Sequence, residues 1–178
     1  ESIRRVTQLI FLNRTCFNGL YRVNSKGLFN VPFGKYKNPG IYNEKSLRGA
    51  SQLLKNTIIE CSSYQNLPKE FLVNSLIYFD PPYRPLSNTS SFTAYNKSNF
   101  NDYSQIDLAN YYKKISENKN LFLILSNSDP KNRDKNDNFF DELYDKFIIN
   151  RVNATRIINS KAEGRGKITE ILVTNKEF

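Results

Sequence analysis

Residues 75–88 read SLIYFDPPYRPLSN, an apolar run that ends on an acid, two prolines and a tyrosine. The run Ser75–Asp80 has the length and bounds of a strand buried on both faces. Neither proline can donate to a ladder, so pairing must stop at Asp80-Pro81-Pro82-Tyr83. The acid is therefore expected at a strand end, in a stiff and exposed turn. In an α/β sheet, ligands collect outside the carboxyl ends of the strands, which marks this turn as the first place to look for chemistry.

Working outward, the flanking sequence supplies the remaining elements. Residues 1–15, ESIRRVTQLIFLNRT, space Ile3, Val6, Leu9 and Ile10 as one helical face. Residues 16–40 alternate aromatic and polar side chains around Asn18-Gly19 and Lys26-Gly27, which predicts a hairpin or extended basic loop. Leu47, Ala50, Leu53 and Leu54 predict a second helix, and TIIECSS (57–63) reads as another buried strand. The polar stretch 85–101 is a long loop of the kind that carries function. A helix follows over 102–118, with Ile106, Leu108, Ala109, Tyr112 and Ile115 on offer to a core. NLFLILSNSD (120–129) is the clearest buried strand, and NFFDELYDKF (138–147) a short helix. IINRVNATRIINS and KITEILVTN predict a terminal antiparallel pair. Strands alternating with helices indicate an α/β fold.

Composition bounds the chemistry. The chain has 178 residues, 26 basic against 17 acidic, for a net charge of +9. That excess suits a polyanionic partner, although it also fits simple solubility. There is no histidine, so no Ser-His-Asp or Cys-His device and no His-ligated metal site can be built. Cys16 and Cys61 are too few and too far apart for a zinc site or a disulfide framework, and read as two reduced thiols of a cytoplasmic protein. No apolar run reaches the ~20 residues of a membrane span. Methionine is absent even at position 1, which points to a piece of a longer protein.

Taken bare, a strand followed by Asp-Pro-Pro-Tyr resembles the catalytic motif of amino-methyltransferases that use S-adenosylmethionine. The physical logic supports the likeness. An exocyclic amino group conjugated with a base ring is a poor nucleophile. Asp80 and the Pro81 carbonyl can each accept one of its N–H groups, favouring a more tetrahedral nitrogen with its lone pair aimed at the methyl group. Tyr83 can stack on a flipped base, and Pro81 and Pro82 keep the turn rigid. A merely structural turn at a strand end is the plain alternative.

Further blocks carry a more specific likeness. FLNRTCFNGLYRVNSKGLFNVPFGKYKNP resembles the DNA-recognition hairpin of the Dam family, the adenine-N6 methyltransferases acting at GATC. PPYRPLSNTSSFTAYNKSNF, LILSNSD and RIINSKAEGRGKITEILVTN resemble that family's later blocks, in the same order. The resemblance implies a Rossmann-like S-adenosylmethionine-dependent methyltransferase fold, its C-terminal part, with an inserted DNA-recognition hairpin. It implies a helix and recognition hairpin over 1–43 and the catalytic part over 44–178. It further implies S-adenosylmethionine as cofactor, no metal, and duplex DNA as partner.

By the same resemblance, Arg22 matches the arginine that reads the guanine of GATC, with the fork suited to O6 and N7. Leu20 and Pro32 match apolar contacts to bases, and Phe17 and Asn18 match the positions that enter the duplex beside the target pair. Arg14, Lys26, Lys35 and Lys37 are candidate phosphate contacts, each equally readable as solvated surface. Ser91, Phe92, Tyr95 and Asn96 match a loop ordered around DNA. Ser63 and Tyr64 match contacts to the cofactor adenine, with Asp80 and Tyr83 also near it. Ser126 and Asn127 read as groups that cap a strand end.

The resemblance stops at the cofactor. The family's glycine-rich turn for the methionine moiety, and its acid for the ribose, have no counterpart here; the glycines of FNGL, SKGLF and FGKY belong to the hairpin. The expectation is a recognition and catalytic half that needs an N-terminal segment or a partner subunit. Three readings stay open: an adenine-N6 methyltransferase, a DNA-binding module without transfer, and an enzyme acting on another planar amine such as cytosine N4, RNA adenine or a protein amide.

Overall fold

The computed structural model describes residues 1–86, 100–155 and 167–177. The chain divides into two compact units, Glu1–Cys61 and Ser62–Phe178.

In the first unit, helix α1 spans Ser2–Thr15 and helix α2 spans Glu44–Leu53. Asn43 starts α2, its side chain accepting the Ser46 N–H at 3.0 Å, and Glu44 adds negative charge to the first turn. The segment between the helices is an irregular loop rather than a continuous two-stranded hairpin. Two isolated bridges, Cys16 with Phe33 and Val23 with Phe29, hold it together. At its base the Phe17 N–H donates to the Pro32 carbonyl and the Gly34 N–H to that of Thr15, both at 2.8 Å. Gly34 is required there, since a Cβ would lie 2.7 Å from the Cys16 carbonyl and against the Tyr36 ring.

Cys16 is buried beneath this closure, its thiol donating to the Leu20 carbonyl at 3.2 Å, whereas Cys61 is exposed. One expectation fails at the end of this unit. Residues 57–63 form no strand: a strand needs a neighbour for its backbone groups, no described segment pairs with it, and Ile58 and Ile59 stay exposed. The apolar faces of the two helices are formed but largely uncovered among the described residues, Ile3, Val6, Leu9, Leu47, Leu53 and Leu54 all being exposed.

The second unit is built on a four-stranded sheet in the order β1-β2-β4-β3, with β1 Leu76–Phe79, β2 Phe122–Ser128, β3 Ile148–Thr155 and β4 Lys167–Thr174. β1 and β2 are parallel, in register at Phe79 with Leu125. β3 and β4 are antiparallel, as the terminal pattern predicts; β2 and β4 are antiparallel as well, a pairing the sequence did not indicate. Helix α3, Asp102–Ser116, connects β1 to β2. Asn101 caps it by accepting the Ser104 N–H, and Lys113 and Lys114 suit its last turn. Helix α4, Phe139–Leu143, precedes β3.

The core gathers Phe79, Leu108, Ala109, Tyr112, Ile115, Leu121, Leu123, Leu125, Phe140, Tyr144, Ile171 and Val173. Burying Leu123 or Leu125 contributes about 2 kcal/mol each. Tyr112 anchors the aromatic part: its ring packs edge-on against Phe147 at 4.9 Å and its hydroxyl donates to the Leu123 carbonyl at 3.1 Å. Two details depart from the sequence reading. β1 is an edge strand with Leu76 and Tyr78 exposed, so it is not buried on both faces. On α3, Ile106 faces outward and Gln105, 1 % exposed, takes the inward place.

Candidate functional site

β1 and β2 run side by side, so their carboxyl ends deliver Asp80 and the Ser126–Ser128 segment to the same edge. The burial pattern of β2 marks the place. Leu123 and Leu125 alternate with partly covered neighbours, and then Leu125 to Ser128 are buried without a break. A strand end that is polar and yet covered on both faces has to satisfy its side chains internally.

It does so through the turn after β1. The Ser126 hydroxyl donates to Asp80 Oδ1 at 3.3 Å, and Asp80 Oδ2 meets no hydrogen-bond partner among the described residues. Asn127 Oδ1 accepts the Arg84 N–H at 3.0 Å and the Ser128 N–H at 2.9 Å. Asn127 Nδ2 donates to Gln105 Oε1 at 3.1 Å, and Gln105 Nε2 donates to the Pro82 carbonyl at 3.0 Å. The Ser128 hydroxyl donates to the Arg84 carbonyl at 2.7 Å.

Arg84 locks the far side of the turn. Its guanidinium makes a forked pair with Asp102 (2.9 and 3.1 Å), reaches Asp137 at 2.7 Å, and lies 4.3 Å over the Phe139 ring. Burial alone would raise the Asp137 carboxyl, but hydrogen bonds from Arg84 and the Phe139 N–H outweigh it and hold the group below its usual range. Tyr83 is 38 % exposed; its hydroxyl donates to Glu170 at 3.4 Å. Burial, reinforced by the Glu170 and Asp80 carboxylates, pushes that phenol up, so it stays protonated. The turn therefore presents a carboxylate, a proline carbonyl and a tyrosine ring on a backbone tied to both the sheet and α3.

Ser63 and Tyr64 belong to the same unit. Ser63 opens a 3-10 turn, Tyr64–Asn66, accepting the Gln65 N–H at 3.4 Å. Tyr64 packs edge-on against Tyr111 at 5.3 Å, and Tyr111 against Phe79 at the end of β1. Asp80 and Tyr83 suit a polar ligand at the acceptor end of the site, the unengaged Asp80 oxygen above all. No glycine-rich strand-to-helix turn occurs among the described residues, and no group of three or more His, Cys, Asp or Glu side chains is placed there to hold a metal.

Most of the residues that the resemblance assigns to DNA contacts lie on the loop of the first unit. Phe17–Gly19 make a 3-10 turn in which Asn18 adopts a left-handed φ of 54° and donates its N–H to the Tyr36 hydroxyl at 3.2 Å. Phe17 and Leu20 are exposed, and so are Pro32 and Lys35; Arg14 is in the last turn of α1. Arg22 carries a contact that sequence reasoning missed: its Nε and Nη2 donate to the Asn30 side chain and carbonyl, both at 2.9 Å. Ser91, Phe92, Tyr95 and Asn96 lie outside the described residues. Arg84, Gln105 and Asp137 were also missed; the only available signal was the position of Arg84 directly after Tyr83.

Residues 1–158 match the family described as D12 class N6 adenine-specific DNA methyltransferase. The chain belongs to that family. Its relatives include the type II methyltransferase M.MjaIII of Methanocaldococcus jannaschii, 48% identical over 98% of this chain and 58% of that protein. The type II methyltransferase M1.LlaDCHI of Lactococcus lactis subsp. cremoris is 41% identical over 98% of this chain and 60% of its own length. A DNA adenine methylase of Serratia marcescens is 35% identical over 97% of this chain and 61% of its own. This D12-class chain thus spans about three fifths of the length of these relatives. Among its described residues no helix is long and apolar enough to cross a membrane.

Proposed function

We propose that this chain carries the recognition and catalytic parts of a site-specific, adenine-specific DNA methyltransferase of the cytoplasm, moving a methyl group from S-adenosylmethionine to N6 of an adenine flipped out of duplex DNA at GATC. The observation that supports it is the strand-end turn Asp80–Tyr83, with a carboxylate oxygen that has no hydrogen-bond partner among the described residues, on a backbone fixed by Gln105, Asn127 and Arg84. The relatives named DNA adenine methylase support the choice of adenine, and GATC rests on the likeness of residues 11–39 to the recognition hairpin.

S-adenosylmethionine supplies an electrophilic methyl group on a sulfonium. Ser63, Tyr64, Asp80 and Tyr83 are the residues of this chain that would hold it, and the longer relatives have further sequence from which the rest of the pocket would come. Asp80 and the Pro81 carbonyl accept the two N–H groups of the amino nitrogen. That pairing favours a lone pair standing out of the base plane and available for attack. Tyr83, kept protonated, offers its ring for stacking without adding charge. In the recognition loop Arg22 reads the guanine, Leu20 and Pro32 contact bases, Phe17 and Asn18 enter beside the target pair, and Arg14 and Lys35 hold phosphates. The proposal extends the DNA contacts to Ser91, Tyr95 and Asn96.

Transfer of labelled methyl by this chain, supplied with the further sequence that its longer relatives carry, to a duplex with one GATC, against the same duplex scrambled, tests the reading. The expected result is GATC-dependent incorporation that an Asp80→Ala change lowers by about 100-fold or more while duplex binding persists. Undiminished transfer by Asp80→Ala would remove Asp80 from the reaction.

A further inference from the structure

Gln105 and Asn127 are polar residues 1 % and 0 % exposed, placed on α3 and β2 where the periodicity calls for apolar groups. We propose that they form a two-amide relay that positions the acceptor turn for its reaction. The proposal rests on the reading of Asp80 and the Pro81 carbonyl as the acceptors of the adenine amino group.

The relay has one consistent polarity. Two backbone donors, the N–H groups of Arg84 and Ser128, converge on one atom of Asn127, which must therefore be its oxygen. Its amide nitrogen is then directed at Gln105, whose oxygen accepts at 3.1 Å. That leaves the Gln105 nitrogen to donate to the Pro82 carbonyl at 3.0 Å. Four groups in series are fixed by two peptide N–H groups of the sheet and the turn.

The turn needs outside help of this kind. Pro81 and Pro82 have no N–H, so neither can brace the turn by donating a backbone hydrogen bond. The relay grips it on both sides of Tyr83, at the carbonyl before and the N–H after, and β1 grips it at Phe79. It also occupies the Pro82 carbonyl. No described group donates to the Pro81 carbonyl or to Asp80 Oδ2. Those two acceptors are left for an amino group, without a third competing beside them. Ordinary packing does not account for the arrangement, because an apolar pair would fill the space without the cost of burying two amides.

The test couples residue 105 to the amino group itself. Kd is measured for a GATC duplex with adenine at the target and for one with purine, which lacks the 6-amino group. The Kd ratio of purine to adenine in Gln105→Met is compared with that of the unsubstituted chain. A positioning role lowers the ratio about tenfold while affinity for the purine duplex holds within about twofold, and single-turnover transfer falls by about 10–100-fold. If Gln105→Met does not melt cooperatively, Gln105→Leu replaces it; its side chain also fills the space and has nothing to donate to Pro82. An unchanged ratio in the folded variant overturns the relay. A ratio of one in the unsubstituted chain overturns the acceptor-turn reading first, and the relay with it, and is seen before any substitution is made.

Discussion

A guanidinium that is to read a base edge must reach it in one orientation. In this chain the Asn30 side chain and carbonyl occupy Nε and Nη2 of Arg22, and the Asn30 N–H returns a bond to the Arg22 carbonyl at 3.0 Å. The outer edge, Nη1 with the second Nη2 hydrogen, is on the proposed function the fork offered to a guanine. On the proposed function, Arg22→Ala costs about 1–3 kcal/mol and relaxes choice at the guanine. Asn30→Ala costs less, about 1 kcal/mol, and leaves the salt dependence of binding unchanged because no charge is lost. Kd for duplexes with guanine or adenine at that position, over a salt series, checks both; a shallower salt slope in Asn30→Ala would mean a phosphate contact instead. Arg22 was singled out because the residues around it resemble the family's recognition hairpin, and its role there is a proposal. Asn30 was not, since its role depends on a partner eight residues away across an irregular loop.

Elements were readable where a local pattern decides them. α1, α2, α3, β2 and the β3–β4 pair follow from periodicity and caps, and β1 from the prolines that end it. The 57–63 strand failed because strand formation depends on a neighbour that the local pattern does not contain. Ile106 was misplaced for a related reason. On α3 it adjoins Gln105, the helical stripe admits either, and the polar end of β2 selects the glutamine. Charge ties these elements together. Burial opposes ionisation of Asp137 and Asp141, yet hydrogen bonds from Arg84 to the first, and from Arg151 and Lys131 to the second, hold both carboxyls below their ordinary range. Both bind protons more weakly folded than unfolded, so the unfolded chain takes up protons first as pH falls. The stabilisation is complete above the ordinary carboxylate value of about 4 and drains away as pH drops from there towards the depressed values. Melting followed from pH 7 to pH 3 should show this loss, and Asp137→Asn should flatten it. An equally steep loss in the variant would assign the acid sensitivity to other groups.

At the scale of the molecule, the sequence indicated an α/β class but not the strand order β1-β2-β4-β3, which arises from pairings between segments far apart in the chain. Nor did it reveal how unlike the two units are inside. Ser62–Phe178 has a continuous aromatic and aliphatic core, whereas Glu1–Cys61 keeps a loop closed by a few backbone contacts over two small buried residues, Thr15 and Cys16. The contrast of buried Cys16 with exposed Cys61 gives the protein a built-in clock. A disulfide reagent such as DTNB should consume one thiol at once, that of Cys61. Cys16 should follow only as fast as the Phe17–Pro32 and Gly34–Thr15 closures come apart, so its lag measures the free energy of local opening. Duplex DNA gripped by that loop should lengthen the lag without touching the fast phase. A lag that ignores DNA would place the grip elsewhere on the chain.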